Sequence, residues 1–191
     1  MYYITMSQIK PQGKKKRRGL GIYQQNILTQ KVQLLYNVVG NNIAENIQKR
    51  LAETISGKCI KEGYIKPNSI RLLSYSAGII SDKYVIFTVV FECLICRPVE
   101  GMRFKVIAKN ITKAGIRCET KEDISPVVVF IARDHHFKSK EFSNIKVGDD
   151  LTVRVIGIRF ELNDKYISVI AEFIPPRKVR KKPKITIIKK A

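Results

Sequence analysis

The sequence predicts an α+β fold that is mostly β, with an N-terminal β-α-β-β-β unit followed by a five-stranded barrel. Isoleucine and valine together account for 44 of the 191 residues, and β-branched side chains of this kind favour pleated strands. Only one segment has apolar residues at helical spacing, and turn-forming residues recur between short apolar runs. The length allows one medium domain or two small ones, and the order of elements favours two.

The N-terminal unit is built around a single predicted helix. A strand is predicted over residues 27–35, and the helix over residues 39–54, where apolar side chains recur at i, i+4 spacing. Asn41 or Asn42 can cap this helix, and Gly57 ends it. Three further strands are predicted, at residues 58–65, 70–75 and 84–96.

A break containing proline and glycine at residues 97–101 separates this unit from a second run of strands. Five strands are predicted there, at residues 102–110, 114–118, 127–131, 151–160 and 166–173. So many short strands within residues 98–173 predict a small barrel. The commonest five-stranded barrel of this size is the OB-fold, whose exposed face binds single-stranded nucleic acids or oligosaccharides.

Positive charge is concentrated at the two ends of the chain. The sequence contains 36 Lys and Arg against 16 Asp and Glu, a formal net charge of +20. Residues 1–25 hold six of the basic residues and residues 174–191 hold eight, with no acidic residue in either stretch, so the body carries only +6. Such an excess predicts a polyanionic partner, either nucleic acid or an acidic protein. The two arms are interpreted as solvated tails, phosphate-binding arms or localisation signals.

No membrane association is expected. The sequence has no apolar run of the roughly 18 residues that a membrane-spanning helix requires. The basic N-terminus is not followed by the apolar segment of a signal peptide. We therefore expect an intracellular protein with no membrane partner.

The cysteines fit a reducing compartment rather than a disulfide framework. Cys93 and Cys96 have the spacing of a metal-binding pair, but they lie in a predicted strand, where residues three apart point to opposite faces. A zinc site also needs a second pair of ligands, and the other two cysteines, Cys59 and Cys118, do not supply one with suitable spacing. We expect small buried side chains here, and no metal or other cofactor.

The sequence contains no recognisable catalytic motif. It has no nucleophile elbow, no glycine-rich phosphate loop and no pair of carboxylates in a recognisable setting. His135 and His136 follow a predicted strand, but no cysteine or acidic partner for them is evident. We therefore expect a protein that is not an enzyme.

Several segments of the second unit resemble the successive blocks of an S1-type OB domain. They are GMRFKV at residues 101–106, NITKAGI at 110–116, VFIAR at 129–133, VGD at 147–149 and VIG at 155–157. Upstream, residues 43–64, which include the phrase SGKC, resemble the N-terminal domain of the larger stalk subunit of multisubunit DNA-directed RNA polymerases. This family includes the seventh subunit of eukaryotic polymerase II and its archaeal counterpart. The order of the two halves matches the family as well.

The resemblance implies a non-catalytic stalk subunit with two domains. Residues 27–97 would form a tip domain that docks on the polymerase core, and residues 98–173 an S1 domain that binds nascent RNA during transcription. The basic extension at residues 1–26 and the basic tail at residues 174–191 depart from the family pattern. The implied partners are the polymerase core subunits, a smaller stalk subunit where one exists, and single-stranded RNA.

The composition rich in isoleucine and lysine also resembles the divergent copies of this stalk protein that large nucleocytoplasmic DNA viruses encode. AT-rich coding bias produces the same composition elsewhere, so a cellular origin stays open. The implied location is the nucleus or, for a viral protein, the virion and the host cytoplasm.

Alignment with the S1 blocks implies which residues contact RNA. Arg117 on the second barrel strand and Phe130 on the third occupy positions where S1 domains carry base-contacting or stacking residues. A guanidinium plane can stack on a base, whereas Phe130 is as well suited to the core as to the surface. Phosphate contacts are expected from other basic residues of the barrel, namely Lys109, Lys113, Arg133, Arg154 and Arg159.

Docking on the polymerase core is expected from exposed apolar and turn residues that lie beside the helix of the tip domain. These residues are Tyr64, Ile65, Pro67 and Asn68.

Two alternatives belong to other functional classes. The chain could be a free-standing S1-domain RNA-binding or translation-type factor, or a subunit of an RNA-processing enzyme whose site the sequence does not display. Co-purification separates the three, because only the stalk subunit requires a stoichiometric place among the large polymerase subunits.

Overall fold

The computed structural model describes residues 21–40, 42–136 and 140–175. The basic extension, apart from its last residues, and the basic tail, apart from its first two, lie outside this described part, as does Asn41. The described residues form a helix-backed antiparallel sheet followed by a closed barrel. The predicted fold class, mostly β with a five-stranded barrel, is therefore confirmed.

The sheet is organised around one long central strand. Its elements are β1 (Tyr23–Leu35), α1 (Ile43–Ile55), β2 (Cys59–Ile60), β3 (Gly63–Ile65), β4 (Arg71–Tyr75), β5 (Ile79–Ser81) and β6 (Tyr84–Cys96). β6 pairs along its whole length with antiparallel β1, and on its other side with β3, β4 and β5 in turn. Within the described residues β1 has no partner on its other side, so it is an edge strand.

The helix α1 covers one face of this sheet. Ile47, Leu51 and Ile55 are buried at the i, i+4 spacing that the sequence showed, and they belong to the same apolar cluster as Val89 and Phe91 of β6. Apolar area removed from water in this way is the main source of stability for such a unit.

The ends of the first elements differ from the prediction. β1 begins at Tyr23 rather than at residue 27, because its first exposed residues are polar and conceal the strand pattern of an edge. The helix begins at Ile43, after a short 3-10 turn at Tyr36–Val38. Asn42 occupies the N-cap position but its side chain makes no capping hydrogen bond. Asn46 instead donates its side-chain Nδ2 to the carbonyl of Val38 at 3.0 Å.

The first strand predicted after the helix is interrupted in the structure. The predicted strand at residues 58–65 is a hairpin of β2 and β3, whose turn is completed by Gly63 at φ 135°. A Cβ at Gly63 would collide with the carbonyl oxygen of Cys96, so only glycine fits. The short strand β5 was not predicted, because two isoleucines beside a turn give too little pattern to identify a strand.

The second unit is a barrel of five strands with one parallel pair. Its elements are β7 (Arg103–Ile111), β8 (Gly115–Glu119), β9 (Val127–Ala132), α2 (Lys140–Ser143), β10 (Asp150–Arg159) and β11 (Ile167–Ile174). The closed order is β10-β11-β9-β8-β7, in which β11 and β9 are parallel and the other neighbours antiparallel. Alternate residues of each strand fill the interior, including Val106, Val129, Ile131, Val153 and Val169.

One end of the barrel is closed by the segment between β9 and β10. Phe142 of α2 is buried, and its ring stacks on the imidazole of His136 at a centroid distance of 4.9 Å. The backbone N–H of Phe173 donates to Nε2 of His136 at 2.9 Å, so this nitrogen is unprotonated in the folded protein. Burial lowers the pKa of His136, against the weaker opposite effect of Glu172.

The base of the sheet and the barrel share one apolar cluster. Tyr23, Cys59, Tyr64 and Cys96 of the sheet are buried together with the barrel core. The backbone of Cys59 donates to the carbonyl of Asp164 at 2.8 Å and accepts from Asn163 at 2.9 Å.

A polar contact lies beside this junction. The Nζ of Lys66 is 3.7 Å from a carboxylate oxygen of Glu122 and 4.6 Å from the centre of the Tyr23 ring. The strand β1 is 13 residues long, so its far end at Leu35 lies about 40 Å from this junction.

Candidate nucleic-acid interface

Arg117 and Phe130 lie side by side on the outside of the barrel. They are direct partners in the register of β8 and β9, and the residues before and after each of them point inward and are buried. Phe130 therefore belongs to the surface and not to the core, and it is 38% exposed. Nη2 of Arg117 forms an ion pair with Oε1 of Glu119 at 3.3 Å.

Three further predicted cations gather around the turn between β7 and β8. Lys109 occupies a bulge in β7 two residues before the strand ends, and Lys113 lies in the turn itself. Arg133 is tied to this turn, because its N–H donates to the carbonyl of Ala114 at 3.0 Å and its Nη2 to the carbonyl of Thr112 at 3.2 Å. These three residues and Arg117 thus lie at one side of the barrel face, all exposed.

The remaining two arginines lie elsewhere on the barrel. Arg159 is opposite Ser168 of β11, across an apolar depression from Arg117, and it pairs with Glu161 at 3.3 Å. Arg154 forms an ion pair with Glu172 at 2.6 Å.

The net charge of the barrel is small. Residues 98–175 contain 13 Lys and Arg and 11 Asp and Glu, a net charge of only +2. The barrel by itself therefore attracts phosphates weakly.

The sequence interpretation missed the depression between these arginines. It is lined by side chains of β9, β10 and β11, among them Val128, Ile158 and Ile170. A signal was present in β11, where Ile170 takes an outward position that a soluble barrel normally gives to a polar residue. The pairing of β9 with β11, which brings the lining together, joins segments about 40 residues apart in the sequence.

The predicted docking residues do not form one exposed surface. Tyr64 and Ile65 are completely buried, so the expectation that they are exposed is wrong. The reason is that β3 lies between β2 and β6 and is paired on both sides, with the barrel covering Tyr64. Pro67 is half-buried, and Asn68 is exposed in a turn at φ 58°. A docking role for these last two stays a prediction.

Exposed apolar residues instead gather at the opposite end of the sheet. Leu35 is the register partner of Tyr84, and the N–H of Tyr36 donates to the carbonyl of Lys83 at 3.0 Å. β5 pairs beside them. We call this group the apolar tip, and it consists of Leu35, Tyr36, Ile79, Ile80 and Tyr84.

The four thiols are buried in two different cores. Cys93 belongs to the sheet core and Cys96 to the barrel cluster, which confirms that the two point to opposite faces. Burial raises the pKa of Cys96 and Cys118 to about 12 and, with a contribution from nearby carboxylates, that of Cys59 and Cys93 to about 11. All four are therefore protonated thiols at neutral pH.

Possible metal ligands are scattered over the described part of the chain. In residues 21–40, 42–136 and 140–175, no three His, Cys, Asp or Glu side chains come close enough together to hold a metal ion. Neither helix in these ranges combines the length and the apolar character that crossing a membrane requires.

Comparison with known proteins gives matches across both units. A protein named as a DNA-directed RNA polymerase subunit of Acanthamoeba polyphaga mimivirus is 29% identical, over 80% of this chain and 82% of its own. The DNA-directed RNA polymerase II subunit RPB7 of Glycine max is 24% identical, over 72% of this chain and 85% of its own.

No family model matches the chain. Among solved structures, an uncharacterized protein of Methanocaldococcus jannaschii aligns with 41% of this chain and 96% of its own, at 23% identity and a TM-score of 0.33. The polymerase relatives confirm the resemblance drawn from the sequence: across both units the chain is similar to subunit RPB7 of plant RNA polymerase II and to a mimiviral RNA polymerase subunit.

Proposed function

We propose that this chain is a non-catalytic stalk subunit of a DNA-directed RNA polymerase, which binds the core enzyme through its sheet and nascent RNA through its barrel. The proposal rests mainly on one observation. The mimiviral and plant relatives, both named as polymerase subunits, match 72–80% of the chain, more than either unit alone provides. A free-standing S1 factor would be expected to match the barrel only. The location that follows is the nucleus or, for a viral protein, the virion and the host cytoplasm.

Co-purification with polymerase tests this proposal directly. The full chain, carrying an affinity tag, is expressed in its native host and recovered under gentle conditions. The expected result is a stoichiometric set of the large polymerase subunits, and the same list of proteins shows whether a smaller stalk subunit accompanies them. Recovery with ribosomes alone, or RNA turnover by the isolated chain, would overturn the proposal in favour of one of the two alternatives.

The apolar tip supports docking by the sheet. Clustered exposed apolar side chains on a soluble protein mark contact sites for other proteins, and Tyr36 and Ile79 are among the most exposed in the described residues, at 65% and 69%. Because the tip lies about 40 Å from the barrel junction, docking there leaves the barrel free to reach RNA. Residues 27–97 thus act as the docking domain and residues 98–173 as the RNA-binding domain.

Point variants test docking better than a truncation. Deleting residues 1–97 would remove Tyr23 and Tyr64 from the barrel's own cluster, and the barrel would be damaged as well as released. Tyr36→Asp combined with Ile79→Asp changes only exposed side chains, and we expect about a tenfold loss of recovered polymerase. The control, Val147→Asp with Leu162→Asp, alters two equally exposed apolar residues on the barrel and should retain polymerase.

The barrel face supports contact with single-stranded RNA. Arg117 next to Phe130 gives a cation and a ring on which bases can stack. Replacing both with Ala should weaken binding by roughly 1–3 kcal/mol per stacked base, without much change in the salt dependence. Lys146→Ala with Val147→Ala, an exposed pair outside this face, is the control. Wild-type affinity of the Arg117/Phe130 variant at matched salt would exclude this face.

The basic arms account for the salt dependence that we expect. They contribute +14 of the net charge of +20, against +2 for residues 98–175. Each phosphate neutralised on a single strand adds about −0.7 to the slope of log affinity against log salt. Removing residues 176–191, which hold eight Lys and Arg, should flatten this slope and leave base preference unchanged.

A further inference from the structure

The depression on the barrel face has a defined shape and position. It has a volume of about 320 Å³ and is lined by residues of three neighbouring strands. Phe130 of β9 lies opposite Ile170 of β11, which lies opposite Gly157 of β10, so these three form one row across the outer surface. A second row places Val128 next to Ser168.

Gly157 is the reason that the surface is recessed. It follows a bulge in β10, where the register with β11 shifts between Val155 and Gly157. At this outward position glycine has no side chain, and a Cβ built there would meet no atom within 4 Å. The floor of the depression is therefore backbone, with open space above it.

The walls of the depression are apolar and in contact with solvent. Ile170 is 51% exposed, next to the partly exposed Phe130 and Ile158. Among the lining side chains that are not charged, Ser168 is the single one with a hydroxyl group. Such a surface favours a flat apolar group and offers little with which to distinguish one hydrogen-bonding pattern from another.

Cations stand on both sides of this apolar floor. Arg117 lies beside Phe130 on β8, and Arg159 lies beside Ser168 on β10 with 84% of its side chain exposed. The ion pairs of both arginines with glutamates at 3.3 Å lie at the surface, so they hold the guanidinium groups only weakly. A strand of nucleic acid has the complementary pattern, because each base is flanked by two phosphates.

We propose that this depression binds one unstacked base of single-stranded RNA above Gly157, with Phe130 and Ile170 against the base and Arg159 against an adjoining phosphate. This inference rests on the proposed RNA contact and adds a subsite to it. Recognition there depends on the face and not on the edge of the base, so the subsite accepts any of the four bases.

Filling the depression tests the subsite. Gly157→Leu places a side chain in the open space, while the backbone at Gly157 requires no left-handed conformation. The full chain is titrated with a fluorescent single-stranded oligouridylate, and we expect the dissociation constant to rise about tenfold, the loss of one stacked base. The slope against salt should stay as in the wild type. The control is Gly40→Leu, where a Cβ also meets nothing within 4 Å.

The outcomes separate the subsite from the RNA contact itself. If Gly157→Leu binds RNA like the wild type while the Arg117→Ala, Phe130→Ala variant does not, the subsite is wrong and the RNA-binding face stands. If neither variant changes RNA affinity, the whole face is wrong. If Gly157→Leu loses polymerase and not RNA, the depression is a protein contact, which also overturns the inference.

A measurement on the wild-type chain covers the case in which Gly157→Leu does not fold. Oligouridylate containing 4-thiouridine is crosslinked to the full chain by light, and the modified peptides are identified by mass spectrometry. We expect crosslinks in the peptides that carry Phe130 and Ile170. Crosslinks confined to the basic arms would contradict the inference.

Discussion

The barrel and the sheet differ in whether their strands have free edges. Each of the five barrel strands pairs on both sides, so the barrel meets its surroundings only through outward side chains. In the described part of the sheet, β1 is an edge along all 13 of its residues, and the sheet ends in the apolar tip. A closed barrel offers a partner only side-chain contacts, whereas an edge strand also offers backbone hydrogen bonds, and this difference fits the proposed division between RNA and protein partners.

The cores of the two regions also differ in composition and boundary. The sheet core contains α1 and the middle of β6, whereas the barrel core extends into the base of the sheet through Tyr23 and Tyr64. The boundary between the two hydrophobic cores therefore lies within the sheet and not at the Pro-containing link after Cys96. Four predictions sharpen this comparison.

The largest effect is expected from Phe91→Ala in the sheet core. Phe91 is completely buried, and truncation of such a ring costs about 3–5 kcal/mol. Amide hydrogen exchange should accelerate in β1 and β6 and much less in the barrel strands. Phe130→Ala, which removes an exposed ring of the same type, is the control and should change little. Equal loss of protection in both regions would show that the two cores unfold as one unit.

A smaller effect is expected at the closed end of the barrel when pH is lowered. Protonating His136 removes the acceptor of the Phe173 N–H and costs about 1 kcal/mol. Because burial lowers the pKa of His136 in the folded state, the unfolded state binds this proton more readily, and stability falls as pH drops through about 6.5.

Denaturant titrations across this pH range measure the effect. His136→Gln should flatten the decline in unfolding free energy, while His135→Gln, on the exposed neighbour, should keep most of the decline, because His135 has only the smallest of the effects on the pKa of His136. An unchanged pH dependence in His136→Gln would contradict the assignment.

The junction between the regions should respond to loss of Lys66. Its contacts with Glu122 and with the Tyr23 ring join the sheet to the barrel, but both charged side chains are partly exposed, so we expect a loss of only about 0.5–1 kcal/mol. A double-mutant cycle of Lys66→Ala with Glu122→Gln measures the coupling. Lys121→Ala, which breaks an ion pair within the barrel, is the control. A coupling energy of zero would remove this contact from the junction.

The smallest effect is expected from Tyr64→Phe. The hydroxyl of Tyr64 is buried and has no hydrogen-bond partner among the described residues, so its removal should leave the unfolding free energy unchanged or slightly raised. Thermal unfolding measures this. A loss of more than about 1 kcal/mol would mean that the hydroxyl is hydrogen-bonded in solution, for instance to a buried water.

The sequence predicted best those elements whose pattern reflects burial. The strand predicted at residues 84–96 coincides with β6, because alternate residues of that strand face a core. The start of β1 and the whole of β5 escaped prediction, since Gln24, Gln25 and Asn26 and all three residues of β5 are exposed and show no alternation. The burial of Tyr64 could not be predicted from the sequence either, because β3 has only three residues, too few to show an alternation of buried and exposed positions.

Some residues of the candidate site could likewise be placed from the sequence, and others could not. The outward position of Arg117 follows from alternation within β8, and its neighbourhood with Phe130 follows from the hairpin of consecutive strands. Gly157 and Ile170 could not be placed beside Phe130, because a parallel pairing and a bulge bring them there. Register between distant segments is a tertiary property, and local patterns do not contain it.

The strand that completes the barrel has a consequence for the order of events during synthesis. All strands of the sheet exist once Cys96 has been made, whereas β9 and β10 each lack one of their two partners until β11 ends at Ile174. At about 5–20 residues per second, synthesis from the end of β9 at Ala132 to the end of β11 takes about 2–8 seconds. During that time the unpaired edges of the barrel strands are open to pairing with other chains. Slow translation of this half of the message would therefore lengthen the period in which the new protein is prone to aggregate.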